Sequence, residues 1–419
     1  MSKVKEFIRS LLPRSVYREL LAPYHISWAF FSALAYGFPA GKIIVIGVTG
    51  TKGKSSVSEM LATILEEAGH AVAISSTIHF KIGEKVRPNL FKMTLPGRGF
   101  IQKFLHDAVQ AKCTYAVIEL TSEGALQYRH LFLSLDALIF TNLEKEHLET
   151  HGSMEKYFEA KFRLGHALEH SEKRPRAVVA NSTSEYGKRF LVLSVEKQIP
   201  FSLNDATGVE LSSEGVSFVY ENTHVSLPHP GNFSVLNALA AIKTAQFLDI
   251  SVATSAAALA KLVRIPGRAE RIEMQQDFLA IVDYAHTPDS LQALYEAYPD
   301  KRKICVLGNT GGGRDTWKRP EMGRIADAAC AEVILTNEDP YNEDPRKIVE
   351  QMAKGMSRAP RIIMDRREAI HTALSLAKKD DAVLITGKGT DPYIMLADGK
   401  KLPWSDARVV REELEKLAR

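Results

Sequence analysis

Cysteine is scarce: only Cys113, Cys305 and Cys330 occur in 419 residues, far apart and without any paired spacing. That distribution argues against a disulfide framework and against a zinc site, and it fits a reducing cytoplasm. An excess of charge of one sign is missing as well. The 54 Lys and Arg nearly balance the 50 Asp and Glu, leaving a net charge of +4. This is too even for a nucleic-acid scaffold, so no nucleic-acid partner is expected, whereas acidic or phosphorylated small molecules are welcome ligands. No stretch approaches the ~20 apolar residues that a bilayer crossing needs. The nearest, residues 20–38, is aromatic-rich but is interrupted by Pro23 and His25 and followed by Pro39. Lys3, Lys5, Arg9, Arg14 and Arg18 precede or enter it, and Arg14 breaks any signal-peptide core. The expectation is a short helical extension over residues 1–40, packed on the following domain; a basic amphipathic helix touching a membrane surface is the alternative. Low-complexity tracts and internal repeats are absent.

What is present reads as an ordinary globular chain, 45% hydrophobic and 25% charged, with a length that calls for two or three domains. Strand-like apolar runs at 43–48, 71–76, 115–120, 137–141 and 177–180 alternate with helical patterns such as 57–68 and 100–110, which predicts a mostly parallel sheet flanked by helices. Residues 205–230 change to short alternating segments around Gly208, Gly215 and Asn222, predicting a few antiparallel strands. A helical pattern resumes over 234–248. A second series of strands, 279–283, 303–307, 332–336 and 382–386, marks a separate α/β domain. The Pro266-Gly267 turn between the series puts the boundary near 265. The predicted fold class is therefore α/β, with a central phosphate-loop domain over 41–265 and a Rossmann-like domain over 266–419.

The segment Gly50-Thr51-Lys52-Gly53-Lys54-Ser55-Ser56 follows one strand pattern and opens one helical pattern, the context a phosphate loop requires. Glycines let backbone amides turn toward phosphate oxygens; Lys54 neutralises the β and γ phosphates and the Ser55 hydroxyl reaches Mg²⁺. ATP is the expected ligand. The strict pattern wants glycine at 48, where this chain has Val48, and Gly47 sits one residue earlier.

Gly47-Val-Thr-Gly-Thr-Lys-Gly-Lys-Ser55, with its offset glycine, resembles the loop of the Mur ligase family. Further motifs follow in family order: Glu119-Leu-Thr-Ser-Glu-Gly-Ala-Leu-Gln-Tyr-Arg129, Thr141-Asn-Leu-Glu-Lys-Glu-His-Leu-Glu-Thr-His-Gly152, Tyr157-Phe-Glu-Ala-Lys161, Gly231-Asn-Phe-Ser-Val-Leu-Asn237, Pro266-Gly-Arg268, Asp283-Tyr-Ala-His-Thr-Pro288, Lys318-Arg-Pro-Glu-Met-Gly323 and Gly387-Lys-Gly389. The Asp283 run is most similar to the branch that adds the third residue of the peptidoglycan stem peptide. The resemblance implies an ATP-dependent ligase that activates a carboxylate as an acyl-phosphate and joins an amino acid to it, extending a UDP-N-acetylmuramoyl dipeptide. An amide ligase of the same fold acting on a polyglutamate, folate-like or lipid-linked carboxylate is the alternative; a nucleotide-binding protein without chemistry stands behind both. The family prior is a monomer.

Residue roles are implied by the same resemblance. Lys54, Glu119, His147, Lys161 and Arg268 carry the chemistry, and Gly50, Thr51, Gly53, Ser55, Ser56, Asn237, Asp283 and His286 join Lys54 and Arg268 in holding the nucleotide. Ser55, Glu119, His147 and a carbamylated Lys161 bind metal. Thr94, in the loop Lys92-Met-Thr-Leu-Pro96, with Ser122 and Arg129, holds the acceptor; Arg314 takes the α-carboxylate of the incoming amino acid. The chain departs from the pattern twice. Members of this branch carry an N-terminal domain that holds uridine diphosphate, whereas about 40 residues precede the loop here, so either the extension binds the nucleotide-sugar in an abbreviated way or the substrate is carried differently. Enzymes adding diaminopimelate carry an Asp-Asn-Pro-Arg run whose arginine grips the distal carboxylate; this chain reads Glu338-Asp-Pro-Tyr341. Loss of that bidentate partner, with Glu338, Asp339 and Asp391 nearby, leads to the expectation of a plain cationic side chain such as lysine or ornithine.

Overall fold

The computed structural model describes residues 14–91, 93–97 and 99–418, with side chains from residue 21 onward. Lys3, Lys5, Arg9, the side chains of Arg14 and Arg18, and Lys92 of the acceptor loop lie outside the described residues.

Strands β1 (Ile44–Thr49), β2 (Val72–Ser75), β3 (His79–Ile82), β4 (Lys85–Pro88), β5 (Tyr115–Glu119), β6 (Ala137–Phe140), β7 (Ala177–Asn181) and β8 (Lys197–Phe201) form one sheet in the order β4-β3-β2-β5-β1-β6-β7-β8. From β2 to β8 every pairing is parallel, and β3 and β4 add an antiparallel hairpin at one edge. Five of the parallel strands are buried almost throughout, which is why they read as unbroken apolar runs. Helix Lys54–Glu67 sets Val57, Met60, Leu61, Ile64 and Leu65 on one stripe, all buried against the sheet. The region around 205–230 is a three-stranded antiparallel sheet of β9 (Thr207–Ser212), β10 (Gly215–Tyr220) and β11 (Thr223–Leu227), followed by helix Asn232–Phe247.

A second sheet combines β12 (Glu270–Ile272), β13 (Leu279–Val282), β14 (Lys303–Leu307), β15 (Glu332–Leu335), β16 (Arg361–Ile362) and β17 (Ala382–Ile385) in the order β12-β13-β17-β14-β15-β16. Only β12 runs antiparallel. A small hairpin of β18 (Tyr393–Met395) and β19 (Lys401–Pro403) follows.

The N-terminal helix Arg14–Ala35 continues through Pro23. It packs on the body through buried Ser32 and Ala33 and through Phe30, which meets Phe132 edge-on at 5.8 Å. Phe31 and Leu34 stay exposed. No helix among the described residues is long and apolar enough to cross a membrane.

One expectation is overturned. Cys305 and Cys330 form a disulfide, with S–S 2.01 Å and Cα atoms 6.1 Å apart. Cys305 lies in β14 and Cys330 ends helix Lys318–Ala329, so the crossover back to the sheet brings together two thiols 25 residues apart. Sequence spacing holds no trace of that return. Cys113 is the buried free thiol.

Candidate active site

The carboxyl ends of parallel strands from both sheets open on one cleft of about 880 Å³, the place where open α/β sheets bind ligands. After β1 the chain turns through Gly50 and Gly53, at φ 144° and 81°. Both positive φ values favour glycine, and a Cβ would also crowd the neighbouring side chains, lying 1.9 Å from Thr141 Oγ1 at Gly50 and 2.5 Å from Asn237 Oδ1 at Gly53. The loop after β6 clamps this turn. Thr141 Oγ1 donates to the Lys52 carbonyl at 2.6 Å, the Lys52 amide donates to Asn142 Oδ1 at 2.9 Å, and the Glu144 amide donates to Thr51 Oγ1 at 3.0 Å. Ser55 and Ser56 enter the helix facing the cleft.

Positive charge concentrates here. Lys54 Nζ donates to the Gly50 and Thr51 carbonyls at 3.0 and 2.9 Å, and Lys161 Nζ, from helix Met154–Glu169, donates to the same Gly50 carbonyl at 2.8 Å. Burial pushes both amines below their ordinary pKa, Lys161 well below, with Lys54 adding to the effect on Lys161. Arg268 arrives from the segment leading into the second sheet: Nη2 donates to Ser55 Oγ at 3.1 Å, and the guanidinium lies 4.8 Å from the Tyr284 ring centroid.

Glu119, at the end of β5, is fully buried and accepts from the Thr77 amide at 3.0 Å and the Thr77 hydroxyl at 2.9 Å. Thr77 Oγ1 in turn meets Thr94 Oγ1 at 2.8 Å, so the acceptor loop is tied to the carboxylate. His147 caps a short helix at φ 58°, its amide donating to Asp315 Oδ2 at 3.0 Å across to the second unit. Burial lowers its pKa, favouring the neutral ring that can ligate a metal.

Asp283 lines the cleft, and each of its oxygens accepts one backbone amide, from Ala269 and Ala285, at 2.6 Å. His286 reaches Glu146 Oε1 through Nε2 at 2.7 Å while Nδ1 faces the Tyr284 carbonyl at 2.6 Å. Asn237 stands beside Gly53 on the nucleotide wall.

Three residues that sequence reasoning left aside matter here. Besides Thr77, Glu146 sits between Lys52 Nζ at 3.1 Å and His286. Burial works to raise its pKa, but Lys52 and His286 outweigh that and hold the carboxyl well below its usual value. Lys52, Glu146 and His286 thus form an ionic chain between the phosphate loop and the second unit. Glu146 and Lys52 stood inside quoted motifs, which was the available signal.

At the acceptor end, Ser122 Oγ lies 3.1 Å from His151 Nε2, and Arg129 donates to the Leu95 carbonyl and to Gln127 Oε1. Arg314, Tyr341, Asp391 and Lys401 also line the cleft, with the Arg314 guanidinium 5.0 Å from the Tyr341 ring centroid. Glu338 and Asp339 do not line it. Asp339 is buried and accepts from Lys388 Nζ and the Met395 amide, both at 2.8 Å, while Glu338 is buried and accepts from Thr310 Oγ1 at 2.8 Å. The expected acidic lining is corrected for Glu338 and Asp339, since Lys388, 49 residues along the chain, already pairs with Asp339, whereas Asp391 does line the cleft.

A phosphate loop, a second-unit arginine on its serine and two further arginines, Arg129 and Arg314, in the same cleft are the equipment of an ATP-dependent ligase of carboxylic acids. Comparison with known proteins agrees. Residues 48–245 match the Mur ligase middle domain and residues 267–389 the Mur ligase glutamate ligase domain. The UDP-N-acetylmuramoyl-L-alanyl-D-glutamate--2,6-diaminopimelate ligase of Caldanaerobacter subterraneus subsp. tengcongensis is 36% identical over 394 residues, 90% of this chain and 80% of that protein. Its counterpart from Aquifex aeolicus is 34% identical over 390 residues, covering 90% and 79%. A solved diaminopimelate ligase of the same name superposes with TM-score 0.60 at 28% identity, over 90% of this chain and 79% of that one. Mycobacterium tuberculosis folylpolyglutamate synthase, at 16% identity, shares the fold with TM-score 0.71 over 87% and 93%. The chain belongs to the Mur ligase family and is an ATP-dependent amide ligase of the acid–amino-acid class.

Proposed function

We propose that this chain adds 2,6-diaminopimelate to the D-glutamate carboxylate of UDP-N-acetylmuramoyl-L-alanyl-D-glutamate. The observation that carries this reading is the layout of charge along the cleft. Arg268 reaches Ser55 Oγ and Lys54 folds over the Gly50 and Thr51 carbonyls at the phosphate loop, while Arg129, Arg314, Lys401 and Asp391 line the same cleft. Lys401 gives the far carboxylate of diaminopimelate a cation to face, whereas lysine or ornithine would leave it facing a like charge; Asp391, which also accepts from Lys388 Nζ at 3.4 Å, lines the same cleft. The names of the relatives point the same way.

In this reading the acceptor carboxylate attacks the γ-phosphorus of ATP, ADP leaves, and the amine of the incoming amino acid displaces phosphate from the acyl-phosphate. Lys54 and Arg268 neutralise the charge that develops on the transferring phosphoryl group. Mg²⁺ bound with ATP would offset phosphate charge, and it needs only one or two protein groups beside the phosphates. Ser55, Glu119 and His147 fit that demand, because Glu119 is a buried carboxylate and His147 is held neutral. Lys161 fits once its neutral amine has added carbon dioxide, giving a carbamate oxygen beside Lys52 and Lys54. Thr94 and Ser122 hold the acceptor and Asn237 the nucleotide. The chain divides into an extension 1–40, an ATP-binding unit 41–265 and a closing unit 266–419, and acts as a cytoplasmic monomer, expected as a single 46.5 kDa species in light scattering.

The test is acceptor-dependent phosphate release from MgATP with diaminopimelate, lysine and ornithine offered in parallel. Diaminopimelate is expected to give the highest kcat/KM. Preference for lysine would overturn the amino-acid assignment, and silence across the panel with ATP still bound would point to a different carboxylate.

A further inference from the structure

The outer face of the N-terminal helix is apolar where water ordinarily selects for charge. A helix on a protein surface buries one stripe and sets charged residues on the other. In helix Arg14–Ala35 the buried stripe is present: Ser32 and Ala33 are buried, and Ser32 abuts Gly99, where a Cβ would lie 2.8 Å from the Ser32 Cβ. The charged stripe is missing, since no Asp, Glu, Lys or Arg stands between Glu19 and Lys42. In its place Ile26, Phe30 and Leu34 follow one another at four-residue spacing, Phe31 stands beside them, and Phe38 extends the row just past the helix. Each of these keeps between 38% and 62% of its surface exposed. Phe30 meets Phe38 edge-on at 6.4 Å, so the row continues across the helix end. Single exposed apolar residues are ordinary on a protein surface, whereas a row of them on one element marks a docking face.

We infer that this face docks on an anionic lipid surface, with the helix lying in the plane of the headgroups. Charge complementarity selects that partner. Lys3, Lys5, Arg9, Arg14 and Arg18 outnumber Glu6 and Glu19 in the stretch leading into the apolar row, a surplus of three within a net charge of +4 for the whole chain. Cations followed by exposed Phe, Ile and Leu are the composition of a helix that rests at a bilayer interface, where apolar side chains enter the acyl boundary and basic ones meet lipid phosphates. Trp28, which is exposed on the same helix, adds an indole suited to the headgroup level. The contact is peripheral, because no helix among the described residues is long and apolar enough to cross the bilayer. Docking in this way is independent of which carboxylate the cleft takes, and it gives the ligase a location without adding a step to its reaction.

The test is cosedimentation of the full chain with vesicles of phosphatidylglycerol mixed with phosphatidylcholine, beside vesicles of phosphatidylcholine alone, at low and high salt. Binding to the anionic vesicles is expected to be at least about tenfold tighter than to the neutral ones and to weaken as salt rises. Phe31→Glu combined with Leu34→Glu changes two exposed side chains, so phosphate release in solution stays as in the native chain while vesicle binding falls at least about a hundredfold. Phe31→Ser combined with Leu34→Ser adds no charge and is expected to lose binding as well, which separates lost burial from repulsion. Absence of the native chain from the anionic pellet overturns the docking face, as does equal binding to neutral vesicles or undiminished binding by the serine variant. Light scattering judges the other occupant: a native dimer that the serine variant converts to a monomer assigns the face to a second copy of the chain and overturns the bilayer.

Discussion

Lys161 is a lysine sealed from water beside two others, and the cheapest relief for such a group is to lose its proton. The neutral amine is then a nucleophile for carbon dioxide, while an alanine offers neither amine nor carbamate. Lys161→Ala is expected to cut turnover at least about a hundredfold with the fold intact, since one lost electrostatic contact at a reacting centre costs that much; near-native turnover by phosphate release would sink the carbamate. A second buried group gives a pH signature. Glu59 lies 3.3 Å from His79, and burial raises the Glu59 carboxyl to about 8 and lowers the His79 imidazole to about 4. Between those values both side chains are neutral. Because the folded carboxyl keeps its proton while the unfolded one ionises above about 4.5, the native chain loses stability as pH rises toward 8, after which the loss is complete. Glu59→Gln mimics the protonated form, so urea melts of the two should agree near pH 5 and diverge in favour of the variant by pH 9.

At the scale of elements, the alternating strand and helix series was legible because parallel strands buried on both faces leave continuous apolar runs, as β1 and β5 do. The edges were not. β4 is exposed along its whole length and β8 carries Pro200 at a sheet edge, so neither shows an apolar pattern. The candidate site divides the same way. The phosphate loop is one continuous segment, whereas the partners of Glu119 and Glu146 come from 42, 94 and 140 residues away. Glu338 and Asp339 were misjudged for that reason: adjacency to a site in sequence says nothing about a partner supplied by another strand. The Cys305–Cys330 bond ties β14 to the helix that returns to it. In denaturant without reductant, thiol titration should find one reactive cysteine, Cys113, and Cys305→Ser should lower stability by ~3 kcal/mol through the released loop. Three reactive thiols would contradict the bond.

At the scale of the whole molecule, Arg268 is the clearest link between the two units. Its fork reaches Ser55 while its backbone belongs to the segment entering the second sheet. Arg268→Ala is expected to lower kcat by about a thousandfold, the usual worth of an arginine delivered to a transferring phosphoryl group. Arg268→Lys should recover little of it, because an ammonium lacks the planar fork. Stopped-flow phosphate release would read both.

The ionic chain of Lys52, Glu146 and His286 extends the same connection through side chains whose owners lie on opposite sides of the cleft. Ligands at the two ends of the cleft are then entries in one thermodynamic cycle. Whatever factor diaminopimelate gains in affinity from bound ATP, ATP must gain from diaminopimelate. Titrating each ligand calorimetrically with and without the other should return the same factor twice, and cutting the chain at Glu146 should shrink both values together.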